Sequence, residues 1–184
     1  MAFAALSGTV FGLIKEFKDG EQAEKQLNTT LQTTGRSAQF TTEQLAEMAL
    51  QLQDVTTFTD DSIMAAQQAI LTFNKVGTTK ESFDQVTEAA LNLATRMGGD
   101  AASAAKILGQ SLQDPEIALT KLRKSGIQFS EAQAAQVQMF VKTGDVAKAQ
   151  AIILDQVTIK VVEDLLGKQK NHPPPPKQVR VREK

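Results

Sequence analysis

The sequence predicts an all-α protein: a compact multi-helix domain of about seven or eight short-to-medium helices, with an apolar N-terminal helix and a disordered C-terminal tail. Three observations point there. Apolar residues recur at alternating three- and four-residue spacing, as in Phe83, Val86, Ala90, Leu93 and Met97, which lines one face of a helix. Thr, Ser or Asp precedes these stripes and Gly follows them, the residue types that start and stop helices. Aromatic residues make up 5% of the 184 residues and all are Phe, so the core must come from Ala, Leu, Ile and Val, which suit closely packed helices. Three parts are expected: an apolar N-terminal helical segment at 1–35, a globular helical domain at 36–167, and a basic proline-rich tail at 168–184.

The first helical stretch covers about 3–34. Leu6, Val10, Leu13 and Phe17 share a face, Leu27 and Leu31 follow, Gly20 is a candidate break and Gly35 a stop. Its start, "AFAALSGTVFGLI", is the most apolar run of the chain. As a helix it reaches about 20 Å, short of a bilayer core of about 30 Å. No basic residues precede it and no clear cleavage site follows, so it reads as an amphipathic helix packed on the body or a partner. No stable membrane insertion is expected of it.

Thr41 opens a helix carrying Leu45, Met48, Leu52 and Val55, and Thr41 with Gln44 has the spacing of a capping box. Thr59 or the Asp after it starts the next, with Ile63, Ala66, Ile70 and Phe73, and Gly77 is expected to end it. Thr78 and Glu81 are expected to cap the helix of the Phe83–Met97 stripe, which Gly98-Gly99 ends. Asp100 caps "AASAAKILGQSL", whose Ala-rich face suits close approach, whether by the core or by another copy. Asp114 and Pro115 start a further helix as N-cap and first-turn residue, and Gly126 stops it, with Ile127 folded back on Leu122. Ser130 and Gln133 begin the following one; Gly144 stops it and Asp145 caps the last, expected to run to about Leu166. The β-branched residues of "AIILDQVTIKVVEDLL" suit a strand as well, but no second strand pattern offers a partner, so helix is expected.

Beyond Gly167 the character changes to "KQKNHPPPPKQVRVREK". Four consecutive prolines impose a polyproline II segment, a spacer or a docking ligand. Residues 168–184 carry six Lys or Arg and one Glu, about +5, which leaves about −6 on residues 1–167 with 14 basic and 20 acidic residues. An acidic body argues against specific nucleic-acid binding, which needs a basic face.

Cysteine is absent, which removes disulfides, thiolate chemistry and Cys-ligated metals, and the single histidine, His172, lies outside the expected fold. Catalysis would rest on carboxylates, Lys, Arg and hydroxyls alone, so no enzyme is expected. Asp60 and Asp61 project about 100° apart on a helix and read as an acidic helix entry. "GGDAAS" at 98–103 lacks a nucleotide-binding glycine pattern. Lys121, Arg123 and Lys124 read as a solvated last turn, and Met48, Met64, Met97 and Met139 as core fillers. No catalytic residue, cofactor site or metal site is assigned.

"LNLATRMGGDAASAAKILGQSLQDPEIALTKLRKSGIQFSEAQ" at 91–133, followed by "GDVAKAQAIIL" at 144–154, resembles the prophage tail length tape measure family. The resemblance is carried by Leu108, Gly109, Leu112, Asp114, Pro115, Leu122, Gly126, Ile127, Phe129, Ser130, Gly144, Asp145, Ala149 and Gln150. Upstream, "LQTTGRSAQFTTEQLAEMALQLQDVTTFTDDSIMAAQQAILTF" at 31–73 is also similar to the family, so the likeness spans about 30–155. Each piece is weak alone; their order and spacing make the match.

This resemblance implies a structural segment of a long helical minor tail protein, which lies in the tail tube, sets tail length and is associated with DNA passage. It implies tail tube or tail assembly chaperone proteins as partners, self-association, and residence in the host cytoplasm during assembly and in the virion tail afterwards. Whole tape measures are much longer, so a truncated or frame-disrupted chain is expected. Two other readings stand beside it: a free-standing helical interaction module, adaptor or secreted, with a proline-rich docking tail, and a peptidoglycan hydrolase, for which no acid/base or metal constellation is visible.

Overall fold

A computed structural model describes residues 20–37 and 39–170, with side chains as far as Lys160. Among these residues there is no strand, and eight helices follow one another: α1 (20–33), α2 (Thr42–Val55), α3 (Asp60–Leu71), α4 (Lys80–Met97), α5 (Ala101–Gln113), α6 (Pro115–Lys124), α7 (Glu131–Lys142) and α8 (Val146–Lys170). Leu6, Val10, Leu13 and Phe17, and residues 171–184 with His172 and the prolines, lie outside the described residues.

The helix starts are set by side chains that accept from otherwise unpaired N–H groups. Thr41 accepts from Gln44 N at 3.3 Å while Gln44 Oε1 accepts from Thr41 N at 3.1 Å, and Ser130 and Gln133 repeat this reciprocal pair at 3.2 and 2.9 Å. Thr59 accepts from Ser62 N at 3.3 Å, Asp100 from Ser103 N at 2.7 Å, and Asp114 from Glu116 N at 3.2 Å with Pro115 in the first turn. At the end of α6, Gly126 N donates to Arg123 O at 3.0 Å and Ile127 N to Leu122 O at 2.9 Å. Gly126 sits at φ +81°, where a side chain is strained, and Leu122 and Ile127 are both fully buried.

Helix α5 lies at the centre: α3, α4 and α6 all pack on it, and α8 closes against α4, α6 and α7. Its buried residues include Ala101, Ala104, Ala105, Leu108, Gly109 and Leu112, so the Ala-rich stripe faces the core and lets the neighbours approach closely. Helix α2 runs antiparallel to α3, because Gln53 near its end accepts from Asp60 N at 2.6 Å and Leu45 O near its start accepts from Gln67 Nε2 at 3.0 Å. Helix α8 runs parallel to α4. Gln150 near its start reaches Lys75 O, ahead of α4, and Lys160 O accepts from Arg96 Nη1 at the end of α4 at 3.4 Å. Leu27 and Leu31 tie α1 into the same core.

Four expectations are corrected. Helix α3 stops at Leu71, not Gly77: the last turn tightens, with Phe73 N donating to Ile70 O at 3.0 Å, and the carbonyls of Phe73 and Val76 turn to Arg36. The cap of α4 is Thr79 paired with Ser82, one residue beyond the Thr78–Glu81 pair: Thr79 Oγ1 accepts from Ser82 N at 3.3 Å and Ser82 Oγ from Thr79 N at 3.0 Å. Met64 is core and Met48 packs against it, but Met97 and Met139 are 41% and 50% exposed, at the last turn of α4 and on the outer face of α7. Helix α8 continues through Gly167 to Lys170, since glycine costs a helix only about 1 kcal/mol relative to alanine. The strand alternative for its β-branched run is not adopted: Ile153 and Val157 are fully buried on one helical face.

The Asp100 cap gives a pH-dependent expectation. Hydrogen bonds from Ser103 hold its carboxyl below the ordinary value near 3.8, so its contribution is complete above that value and is lost as pH falls through the lower, folded-state one. Asp100→Ala costs about 1 kcal/mol at neutral pH, whereas Asp100→Asn keeps the acceptor without the titration. Thermal melts between pH 6 and pH 2 should show the wild-type advantage over Asp100→Asn shrinking only in the acid part of the range. A constant gap across the series would refute the assignment.

Candidate functional site

Among the described residues, the connection 72–79 between α3 and α4 is anchored from several distant elements. Arg36, 4% exposed and just past the end of α1, reaches it from 36 residues or more away in sequence. Its Nη1 donates to Phe73 O at 3.3 Å and Val76 O at 2.9 Å, its Nη2 donates to Gly77 O, and its Nε donates to Gln39 Oε1 at 2.9 Å. The guanidinium lies 5.3 Å from the Phe40 ring centre and 5.9 Å from that of Phe83, two rings themselves 4.8 Å apart. Burial pushes its pKa below the usual arginine value. A buried charge is costly unless its donors are filled, and here carbonyl dipoles and ring faces fill them. Two glutamines pin the same connection from other helices. Gln113 Oε1 accepts from Lys75 N at 3.1 Å, and Gln150 Nε2 donates to Lys75 O and Leu112 O, both at 2.9 Å.

The motifs that looked like sites in the sequence lie at helix ends. Asp60 and Asp61 occupy the first turn of α3. The start of α5 after "GGDAAS" already carries the Asp100 carboxylate against its N–H groups. Lys121 donates to Gln110, while Arg123 and Lys124 are exposed in the last turn of α6. Among the described residues, no group of three or more His, Asp or Glu could hold a metal ion, and no helix is long and apolar enough to cross a membrane. A groove of about 270 Å³ between α4 and α8 is lined by Gln85, Glu88, Asn92, Leu154, Asp155 and Thr158.

The outer face of α2 carries exposed acidic and apolar side chains together. Glu43, Glu47, Leu50 and Asp54 follow one another at four-, three- and four-residue spacing, opposite the buried Leu45 and Ala49. Leu50 is 54% exposed and Val55, at the helix end, 77%.

Residues 1–138 match the family model described as prophage tail length tape measure protein. The chain belongs to this family. No curated protein and no solved structure matches it. The family is one of structural phage proteins, so this tape measure chain is a phage tail component, with the virion tail as its setting and tail-related proteins as its partners. The matched residues take in Arg36, the 72–79 connection and the outer face of α2, together with the apolar segment ahead of α1. "GDVAKAQAIIL" at 144–154, part of the sequence likeness, lies beyond them.

Sequence reasoning passed over Arg36. A signal existed: it is the only Lys, Arg or His between Lys25 and Lys75, directly after a helix-stopping glycine. A lone cation so placed is a candidate for burial. Gln113 and Gln150 carried no such signal, since their roles arise only when α5 and α8 come together.

Proposed function

We propose that this chain is a compact helical segment of a tape measure, working by contact and not by chemistry in phage tail assembly and in DNA passage. Its partners are tail tube or tail assembly chaperone proteins, met in the host cytoplasm before the tail is complete. The observation that carries this reading is the family match over residues 1–138, three quarters of the chain. The short, individually capped helices support a module that enters the tail folded, since each stop prevents extension into one continuous rod.

The test is an in-frame deletion of the codons for 42–170 in the phage, followed by electron microscopy of the tails. A segment that stays folded shortens the tail by roughly its own diameter, about 40 Å for a domain of this size. The same residues as one continuous helix would remove roughly 190 Å. Tails of unchanged length and normal infectivity would rule out a place in the measuring structure.

A further inference from the structure

We propose that the basic segment following α8 docks in cis on the outer face of α2. This inference concerns an intramolecular contact and goes beyond the role in tail assembly. The first support is charge. Between Arg36 and Lys75 the chain has no basic residue and five acidic ones, Glu43, Glu47, Asp54, Asp60 and Asp61. Arg36, the basic residue bordering this stretch, is buried against backbone carbonyls, and the cation beside Glu47, Lys80, is paired with Asp84 at 2.9 Å. Glu43, Glu47 and Asp54 therefore form an anionic stripe on an outer helix, with Leu50 exposed in its middle.

The second support is the composition of the segment. Residues 171–184 contain Lys177, Arg180, Arg182 and Lys184 against the single Glu183, with Val179 and Val181 between the cations. In an extended chain alternate residues point to opposite sides, so Arg180 and Arg182 share one side while Val179 and Val181 share the other. Laid on the stripe with the arginine side inward, such a strip offers cations to the Glu47 and Asp54 carboxylates.

The third support is where α8 leaves the body. Because α8 runs parallel to α4, it exits at the end of the molecule where α4 terminates. Helices α3 and α4 join through the 72–79 connection at the other end, and α2 is antiparallel to α3. The end of α2, with Asp54 and Val55, and the start of α3, with Asp60, accordingly lie at the exit end. Fourteen residues in polyproline-like extension reach roughly 43 Å, about the diameter of the body, so the span is within range. Charge pairs of this exposed kind are individually weak and salt-sensitive, which makes the contact displaceable by a more strongly basic partner.

The test is amide hydrogen exchange over residues 42–55 in the full chain at low and at high salt. Reversing the segment with Lys177→Glu, Arg180→Glu and Arg182→Glu should speed exchange in α2 about threefold at low salt and leave the core amides unchanged. The reciprocal set Glu43→Lys, Glu47→Lys and Asp54→Lys should do the same, and the two sets combined should restore protection. Carbodiimide treatment of the wild-type monomer should link Lys177 or Lys184 to Glu47 or Asp54. Unchanged exchange in the reversed segment overturns the proposal, as does failure of the combined set to restore protection. So does protection that rises with protein concentration, which would assign the face to a second copy.

Discussion

Replacing Arg36 with Met should lower stability by about 3 kcal/mol, because the carbonyls of Phe73, Val76 and Gly77 lose their shared donor while Val76 and Gly77 stay buried. For a domain of this size that corresponds to a fall in melting temperature of roughly 6–12 °C. Met fills much of the volume between Phe40 and Phe83, so the loss is electrostatic and not a matter of a cavity. Arg36→Lys keeps the charge and separates the two contributions. An ammonium on a flexible stem cannot serve three carbonyls and two ring faces at once, so it should recover only part of the stability. The position is insensitive to ordinary pH, since arginine stays charged throughout. Equal stability of wild type and Arg36→Met in denaturant titrations would show that the connection satisfies itself by other means.

Gly109→Ala should cost about 2 kcal/mol, although alanine is favoured over glycine in a helix by about 1 kcal/mol. A Cβ at this position would stand 2.3 Å and 2.4 Å from Cδ2 and Cε2 of the Phe73 ring. The backbone of Phe73 cannot shift to make room, because Phe73 O is held by Arg36 and Phe73 N donates to Ile70 O at 3.0 Å. Combining Gly109→Ala with Phe73→Leu should recover part of the loss, a coupling that a double-mutant cycle reads directly. Strict additivity of the two changes would sink the explanation, and a stabilised Gly109→Ala would mean the ring has room to turn.

The helical class and most boundaries were legible because they depend on neighbours within four residues. The Thr41, Thr59, Asp100, Asp114 and Ser130 caps and the Gly126 stop all follow from side chains or glycines beside the groups they serve. The path of the chain after α3 was not legible, because its carbonyls are held by Arg36, and a contact across 37–41 residues leaves no local trace. Thr78 and Thr79 are indistinguishable by composition, and the turn at Gly77 decides between them. Met97 and Met139 fit the helical period yet fall where no neighbouring element covers them, which depends on how helices assemble and not on spacing. The acidic character of α2 was visible as composition; the gathering of Glu43, Glu47 and Asp54 on one outward stripe emerged only with the fold.

The pinned connection between α3 and α4 has a mechanical consequence. Arg36 grips it from the α1 side and Gln150 from the α8 side, at adjoining residues. Tension applied between the two ends of the body therefore has a short load path, from α1 through the guanidinium to Val76, across to Lys75, and through the Gln150 amide into α8. The intervening hundred or so residues are bypassed while both grips hold. Under a steady pull the module behaves as a stiff link up to the force that ruptures one grip. Beyond it, contour length is released in a large step, first from whichever side let go.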